Sequence, residues 1–262
     1  MRLILVFVLA LACVAIVAFA IVRRPQLPPA ERGRRLAERT GCFGCHGPGG
    51  TRGTNNPGRI DKTVPNFQDD VMMFAKTPEE IHEWISSGAT KKRQASLTWR
   101  EERARGALKM PAWKGRMSEA GMGDLTAYVM AMAGVPEPDD SLAATGLRRA
   151  ADLGCTGCHG PGGRLARPNP RSWKGYVPSW DGADFPELAR DSAEFREWAQ
   201  QGRCRRFDRN PAARLFLQRE DLKMPAFERF LEPGDPAALW AYVRWLRSPA
   251  ARPMTSPSAD GD

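Results

Sequence analysis

The chain has 262 residues, with 39 Lys and Arg against 30 Asp and Glu, a net charge of +9, six Cys and three His. A 42% share of apolar residues is enough to build hydrophobic cores, so the composition excludes a disordered chain. Six Cys are too few for a disulfide scaffold of this length, and two of the three His directly follow Cys-x-x-Cys, which argues against a zinc-finger array. Acidic residues interrupt nearly every basic stretch, which favours a mixed basic surface over a nucleic-acid-binding face.

The N-terminus carries twenty consecutive uncharged residues, from Leu3 to Val22. This length predicts a membrane-spanning helix, and we assign residues 1–24 to an N-terminal anchor. Ala18-Phe19-Ala20 resembles a small-x-small cleavage site, so a cleaved signal sequence remains the alternative. Arg23 and Arg24 follow the span, and by charge alone they would favour a cytoplasmic location for the segment after it.

The rest of the chain is organised as an internal repeat. The segment Gly41–Gly50 returns as Gly154–Gly163, and Leu108–Trp113 returns as Leu222–Phe227, at offsets of 113 and 114. The predicted order after the anchor is a Pro-rich spacer (25–30), a first domain (31–134), a short Pro-rich linker (135–141), a second domain (142–248) and a disordered tail (249–262).

The sequence pattern predicts helices in each repeat. Thr77-Pro78-Glu79-Glu80 predicts a capped helix that ends at Gly88, and Asp191 to Gly202 is its second copy. No run of alternating strands is evident, so the prediction is an all-α protein with long loops, such as residues 47–59, that wrap a cofactor. The predicted apolar positions of the capped and closing helices are Ile81, Trp84, Ile85, Leu125, Tyr128, Val129 and Met132, followed by Phe195, Trp198, Ala199, Leu239, Tyr242, Val243 and Leu246.

The motif that carries chemistry is Cys-x-x-Cys-His, which occurs at Cys42, Cys45 and His46 and again at Cys155, Cys158 and His159. This motif is the attachment sequence of c-type haem. Two Cys on one helical turn present both sulfurs on one side, where they bond the porphyrin vinyl groups, and the adjacent His reaches the iron. A redox dithiol would need a βαβ setting, which the pattern lacks. The prediction is two covalently attached haem c groups.

The sixth iron ligand is predicted to be methionine. After His159 the chain has no further His and two Met, of which Met254 lies in the predicted tail, so Met224 is the candidate for the second haem. The repeated Leu-Lys-Met-Pro-Ala frame carries this assignment to Met110 in the first repeat. For Met117 and Met122, core packing and ligation remain equally open.

Two other reactive side chains fall outside this pattern. His82 lies on the capped helix, and its counterpart is Arg196, so we expect a solvent-facing residue. Cys204 corresponds to Thr90 and is expected to be a free cysteine.

Over residues 31–134 and again over 142–248, the chain resembles the class I cytochrome c family, through the Cys-x-x-Cys-His motifs, the Met-Pro loops and the closing helices. The resemblance implies that Gly33 and Gly146 lie in first helices crossed closely by Tyr128 and Tyr242. It also implies that backbone carbonyls of Pro65 and Pro178 hold the rings of the iron-ligating histidines.

Haem attachment of this type occurs outside the cytoplasmic membrane, so the resemblance places both domains on the periplasmic side of a single-pass anchor, against the flanking charges. The expected function is electron transfer rather than catalysis, with redox protein partners such as a membrane oxidase or dehydrogenase complex. The alternative is a dihaem peroxidase with one open haem, for which His82 would be the remaining candidate acid-base histidine. A haem-based sensor would need an output domain, and no segment after Ser248 reads as one.

Overall fold

The computed structural model describes residues 6–7, 10–15, 27–68, 71–75, 77–134 and 137–251. Most of the predicted anchor, Leu3 to Val22, lies outside these residues; positions 6–7 and 10–15 are helical with exposed side chains. Within the described segments, no helix combines the length and apolarity that crossing a membrane requires.

The described chain is mostly helical. In the first repeat the helices are α1 (Pro29–Arg39), α2 (Phe43–His46), α3 (Val71–Phe74), α4 (Pro78–Ser87), α5 (Lys91–Ala95), α6 (Leu97–Arg105) and α7 (Glu119–Met132). In the second repeat they are α8 (Ser141–Asp152), α9 (Cys155–His159), α10 (Phe185–Leu188), α11 (Ser192–Gln201), α12 (Arg205–Asp208), α13 (Pro211–Arg219) and α14 (Asp235–Leu246). Short 3₁₀ turns follow each Cys-x-x-Cys-His motif, at Pro48–Gly50 and Pro161–Gly163.

The first and last helices of each repeat cross at a glycine. A Cβ atom at Gly33 would overlap the carbonyl oxygen of Asp124, and it would lie 2.9 Å from the Cβ of Tyr128. At Gly146 a Cβ atom would overlap the carbonyl oxygen of Ala238 and lie 2.8 Å from the Cβ of Tyr242. The close helix crossings expected from the resemblance are therefore present in both repeats.

An ion pair also joins the two helices at each of these crossings. Arg32 on α1 donates to both carboxylate oxygens of Asp124 on α7, the shorter bond being 2.6 Å. In the second repeat Arg149 on α8 makes the same paired contact with Asp235 on α14, again with a 2.6 Å bond. The two ion pairs lie at different positions of the repeat. Each repeat therefore stabilises its helix crossing with its own pair of residues.

The predicted caps of the central helices are confirmed. The hydroxyl of Thr77 accepts from the backbone N–H of Glu80, and the carboxylate of Asp191 accepts from the N–H groups of Ala193 and Glu194. The predicted apolar faces of these helices and of α7 and α14 point inward. Their buried members are Ile81, Ile85, Leu125, Tyr128, Val129, Met132, Phe195, Ala199, Leu239, Tyr242, Val243 and Leu246.

The structure differs from the all-α prediction in one hairpin. Strands β1 (Arg167–Pro168) and β2 (Tyr176–Val177) pair antiparallel within the loop that follows the second motif. Each strand is two residues long, too short for any alternation to be visible in the sequence. The first repeat has an isolated bridge between Asn55 and Thr63 in the corresponding loop.

The prediction of a disordered tail from residue 249 is wrong for its first three residues. Pro249–Ala251 form a 3₁₀ turn, and Ala251 is buried in the core of the second repeat. The small side chain of Ala251 fits that core, which composition alone did not reveal. The remainder of the predicted tail, residues 252–262, lies outside the described residues, as do positions 135 and 136 of the predicted linker.

The two repeats contact each other beside the second motif. Leu165 is buried in the hydrophobic core of the first repeat, together with residues of α7. Arg164 reaches the carbonyl oxygen of Gly134 at 3.4 Å. The segment directly after the second Cys-x-x-Cys-His is thus part of the surface that joins the two halves.

Candidate functional site

Each Cys-x-x-Cys-His motif forms a helical turn. In the first repeat the N–H groups of Cys45 and His46 both donate to the carbonyl of Cys42. In the second repeat helix α9 begins at Cys155 and ends at His159. Both cysteines and the histidine therefore lie on one helical turn in each repeat, with Cys42 as the residue that precedes α2, as attachment to a single group requires. Burial raises the pKa of the Cys42 thiol, and it raises that of Cys155 to about 11.

The two motif histidines are held by the same contact. The Nδ1 atom of His46 lies 2.7 Å from the carbonyl oxygen of Pro65, and Nδ1 of His159 lies 2.7 Å from that of Pro178. A carbonyl oxygen can only accept, so Nδ1 carries the hydrogen in both rings. This tautomer leaves the lone pair on Nε2, the atom that would bind iron.

Both histidines favour the neutral state that a metal ligand needs. Burial lowers the pKa of His46 and of His159, and the hydrogen bond to the proline carbonyl opposes this effect in each case. Desolvation disfavours a charged imidazolium, and burial is the larger cause here. The rings are therefore available as ligands at neutral pH.

The second repeat contains an apolar cavity of about 470 Å³. Its walls bring together four of the predicted haem-binding residues with Pro178, although they are separated by up to 69 positions in the chain. These four residues are Cys155, Cys158, His159 and Met224. Aromatic side chains form much of the remaining wall, namely Trp173, Tyr176, Trp180, Phe185, Phe195, Trp198, Phe207, Phe216 and Phe227.

In the first repeat two of the corresponding residues pack against one hydrophobic core. Cys42 and Met110 both pack against the cluster that contains Phe67 and Tyr128. The ring of His46 lies beside that of Phe67, with 4.6 Å between centroids. His159 has the same kind of neighbour in Trp180, at 5.1 Å.

Glycines let the Met-Pro loops approach the ends of the central helices. Gly88 and Gly202 end α4 and α11 with φ of +71° and +69°. A Cβ atom at either glycine would clash with the carbonyl oxygen of Met110 or Met224, respectively. The repeated helix-ending glycines, interpreted from sequence as caps, therefore also make room for the methionine loops.

A pair of buried asparagines holds the same loops by hydrogen bonds that the sequence patterns did not predict. The amide of Asn56 donates to the carbonyl of Leu108 at 3.0 Å and accepts from its N–H at 2.8 Å. Asn169 makes the same two bonds with Leu222, at 2.9 and 2.8 Å. Both asparagines are buried, and each clamped leucine lies two residues before the methionine. The repeated Asn-Pro dipeptide at offset 113 was the available signal.

Tyrosines of the closing helices fix the turn behind each motif. The hydroxyl of Tyr128 donates to the carbonyl of Gly49, and that of Tyr242 donates to the carbonyl of Gly162, both at 2.7 Å. Both tyrosines are almost fully buried. The helix crossing at the glycine is thereby linked to the segment that carries the two cysteines and the histidine.

These residues fit a haem group. The second cavity is apolar, carries both cysteines, and has the histidine and the methionine in its wall. In the first repeat the indole N–H of Trp99 is buried and finds no hydrogen-bond partner within the described residues. Trp99 packs edge-on against Trp84 and corresponds to Ala213, which lines the second cavity. A porphyrin carboxylate is an acceptor that would satisfy this donor.

The other reactive residues lie apart from these contacts. His82 pairs with Glu119 at 3.2 Å and is partly exposed, in keeping with the solvent-facing prediction. Met122 is buried in the first core and Met117 packs against it, which favours packing for both. Cys204 is 1% exposed, and burial raises the pKa of its thiol, so a thiolate is disfavoured there.

Comparison with known proteins supports this chemistry in the first repeat. Residues 30–133 match the family model described as Cytochrome c. The match supports a class I c-type cytochrome, with covalently bound haem c and a haem-based role in electron transfer. A search of curated proteins returned no match for the chain.

Proposed function

We propose that this chain is a dihaem c-type cytochrome, which carries single electrons between a membrane respiratory or dehydrogenase complex and another redox partner. The proposal extends the cytochrome c assignment of residues 30–133 to the second repeat. The observation that carries this extension is the recurrence of the histidine, asparagine and tyrosine contacts in both repeats, around Met110 in one and Met224 in the other.

The residues that would hold the two haem groups follow from this arrangement. Cys42 and Cys45 in one repeat, and Cys155 and Cys158 in the other, would provide the thioether sulfurs. His46 with Met110 and His159 with Met224 would bind the two irons. Each bound haem supplies a one-electron couple, and methionine raises its potential relative to a second histidine.

The chain's own residues then favour electron transfer over catalysis. The prolines fix the histidine rings by accepting from Nδ1, and the asparagine clamps fix the backbone that leads to each methionine. Apolar and aromatic side chains form most of the wall of the second cavity. A histidine and a methionine that both stayed bound in either oxidation state would keep the rearrangement on electron transfer small, and together they would leave no open position for peroxide.

The location of the protein is part of the same proposal. Attachment of haem c outside the cytoplasm would place both repeats on the periplasmic side, with Leu3–Val22 as a single membrane anchor. The net charge of +9 is suited to docking on acidic redox partners.

The proposal is tested by counting haems and examining their ligands in the purified holoprotein. We expect two haems per chain and a far-red Met–iron band proportional to both. Met224→Ala should keep both covalent haems, lose about half of that band, open one iron to carbon monoxide and lower its potential. Met110→Ala should affect the other haem in the same way.

Met117→Ala serves as the matched control, because this methionine packs against the first core and lies outside the Met-Pro frame. Its spectrum and potentials should equal those of the unmodified protein. One haem per chain would overturn the dihaem proposal. Two haems with one lacking the Met–iron band would favour the alternative, a peroxidase-type protein with an open iron.

A further inference from the structure

The two repeats differ by an ionisable side chain in the cavity wall. Glu220 follows α13 and lines the second cavity together with His159 and Met224. The corresponding position in the first repeat is Gly106, which has no side chain. A carboxyl group therefore enters the wall of the second site at a position where the first repeat has none.

The Glu220 carboxyl is only weakly neutralised by its neighbours. Within the described part of the chain, its carboxylate accepts one hydrogen bond, from the side-chain amide of Asn169 at 3.4 Å, and the same amide donates a shorter bond of 2.9 Å to the carbonyl of Leu222. Lys223 is the cation that favours the charged form of Glu220. The charged form of Glu220 is thus stabilised by one long hydrogen bond and by Lys223, three residues further along the chain.

The other charged groups in this wall already have partners. Lys174, from the hairpin, lies 3.0 Å from Asp184 and 2.8 Å from Glu187. Arg206, from α12, makes a paired contact with Glu194. The remaining titratable groups lining the cavity are Cys155, Cys158 and His159 of α9, and Tyr176, which bonds to Asp184.

These surroundings bring the pKa of the Glu220 carboxyl close to neutral pH. Burial raises the pKa of Glu220 to about 7, and the charge of Lys223 opposes the rise. Glu220 remains partly exposed, so water can exchange protons with it. A carboxyl half-protonated near pH 7 responds to any change of charge within the same cavity.

We propose that Glu220 takes up a proton when the second haem site accepts an electron and releases it on oxidation, so that this repeat couples proton to electron transfer. The inference rests on the proposed function. An added electron makes the cavity more negative, which disfavours the carboxylate form and raises its affinity for a proton.

The step balances without another reactant. One electron would pass from the redox partner to the second haem site, and one proton would pass from a solvent hydronium ion to a carboxylate oxygen of Glu220, so that one O–H bond of hydronium breaks and one O–H bond forms on Glu220. Oxidation passes the electron to the acceptor, breaks that O–H bond and returns the proton to water. In the first repeat, Gly106 offers no such group.

The test is a spectroelectrochemical titration of the two-haem holoprotein between about pH 5.5 and 8.5. We expect the potential of the second haem to fall as pH rises through neutrality, by up to about 59 mV per unit, the equivalent of a tenfold change in a one-electron equilibrium. The potential of the first haem should stay nearly constant. Met110→Ala, which moves the first potential, assigns the two waves.

Glu220→Gln should abolish the slope while keeping two Met-ligated haems. Glu228→Gln, an exposed charge change in the same repeat, should retain it. A flat profile in the unmodified protein, or an unchanged slope in Glu220→Gln, would overturn the inference while leaving the two-haem proposal intact. If the unmodified protein lacked a second haem, or lacked the Met–iron band of either haem, this result would instead contradict the proposed function.

A second measurement needs no variant. The infrared difference spectrum between reduced and oxidised holoprotein at pH 7 should contain the C=O stretch of a carboxylic acid on the reduced side. Its absence would contradict proton uptake by any carboxylate, including Glu220.

Discussion

The first and second repeats share backbone contacts and differ in the side chains beside them. In both, a proline carbonyl accepts from the motif histidine, a buried asparagine clamps the methionine loop, and a closing-helix tyrosine bonds the turn behind the cysteines. The surrounding positions diverge: Trp99 becomes Ala213, Gly106 becomes Glu220 and Thr90 becomes Cys204.

This comparison distinguishes the contacts that position the histidine and the methionine from the side chains that set the polarity of the wall. Contacts that set the positions of the histidine and the methionine use backbone groups, and they recur with distances equal to within about 0.1 Å in the clamps. Substitutions among the side chains of the cavity wall change the polarity around the site without moving the histidine or the methionine. Two sites of the same construction can therefore have different potentials and different responses to pH.

The largest expected effect comes from the helix crossings. Gly33→Ala and Gly146→Ala should each lower the free energy of unfolding of their own repeat by about 3 kcal/mol, because the new methyl group meets a backbone carbonyl that cannot move alone. Hydrogen exchange of the holoprotein, followed by mass spectrometry, would localise the loss to α1 and α7, or to α8 and α14.

Gly123→Ala is the matched control for these substitutions. Gly123 lies on α7, and a Cβ atom there meets no other atom within 4 Å. Alanine should stabilise this helix slightly, by about 0.5–1 kcal/mol. Equal protection in Gly33→Ala and Gly123→Ala would contradict the role assigned to the crossing.

The asparagine clamps should have the next largest effect. Asn56→Ala and Asn169→Ala each remove two hydrogen bonds and leave a leucine N–H and carbonyl without their partner, at a cost of about 2–3 kcal/mol. The Met–iron band of the affected haem should disappear at a lower temperature than the haem itself is lost. Unchanged thermal stability of both bands would show that the clamp does not hold the methionine loop.

Much of this frame could be predicted from local sequence patterns. Thr77 and Asp191 precede helices in which apolar residues recur at helical spacing, so both the caps and the buried faces were accessible. The repeat itself linked Met110 to Met224, although Met224 lies 65 positions after His159, the residue with which it lines the second cavity. The contacts of Pro65 and Pro178 required the resemblance to a known family.

Other features depend on contacts that no local pattern encodes. Asn56 and Leu108 are 52 positions apart, so the Asn-Pro dipeptide alone reads as a turn. Glu220 reads as an ordinary surface residue after a helix until the cavity is known. The same holds for Ala251, whose burial depends on the shape of the second core.

The smallest expected effect is an acid-dependent difference between the repeats. Arg206 bonds Glu194 through two nitrogens, at 2.7 and 2.9 Å, and chiefly for this reason the pKa of Glu194 falls from 4.5 to about 2. A carboxylate with a lowered pKa stabilises the fold above its unfolded value, and this contribution is lost as pH falls through the folded value. In the first repeat the position of Arg206 is occupied by Lys92, which cannot form the same paired contact.

Glu194→Gln should therefore destabilise the second repeat by about 1 kcal/mol at pH 6, since the pair is partly exposed. The deficit should shrink as the pH is lowered from about 4.5 towards 2, because the unmodified protein loses the same contribution there. Arg206→Lys, which installs the residue type of the first repeat, should reproduce part of the deficit at pH 6. Urea unfolding monitored by hydrogen exchange of α11 and α12 measures both variants. A deficit that stays constant from pH 6 to 2 would mean that Glu194 acts through packing rather than through its charge, and the acid response would then not distinguish the two repeats.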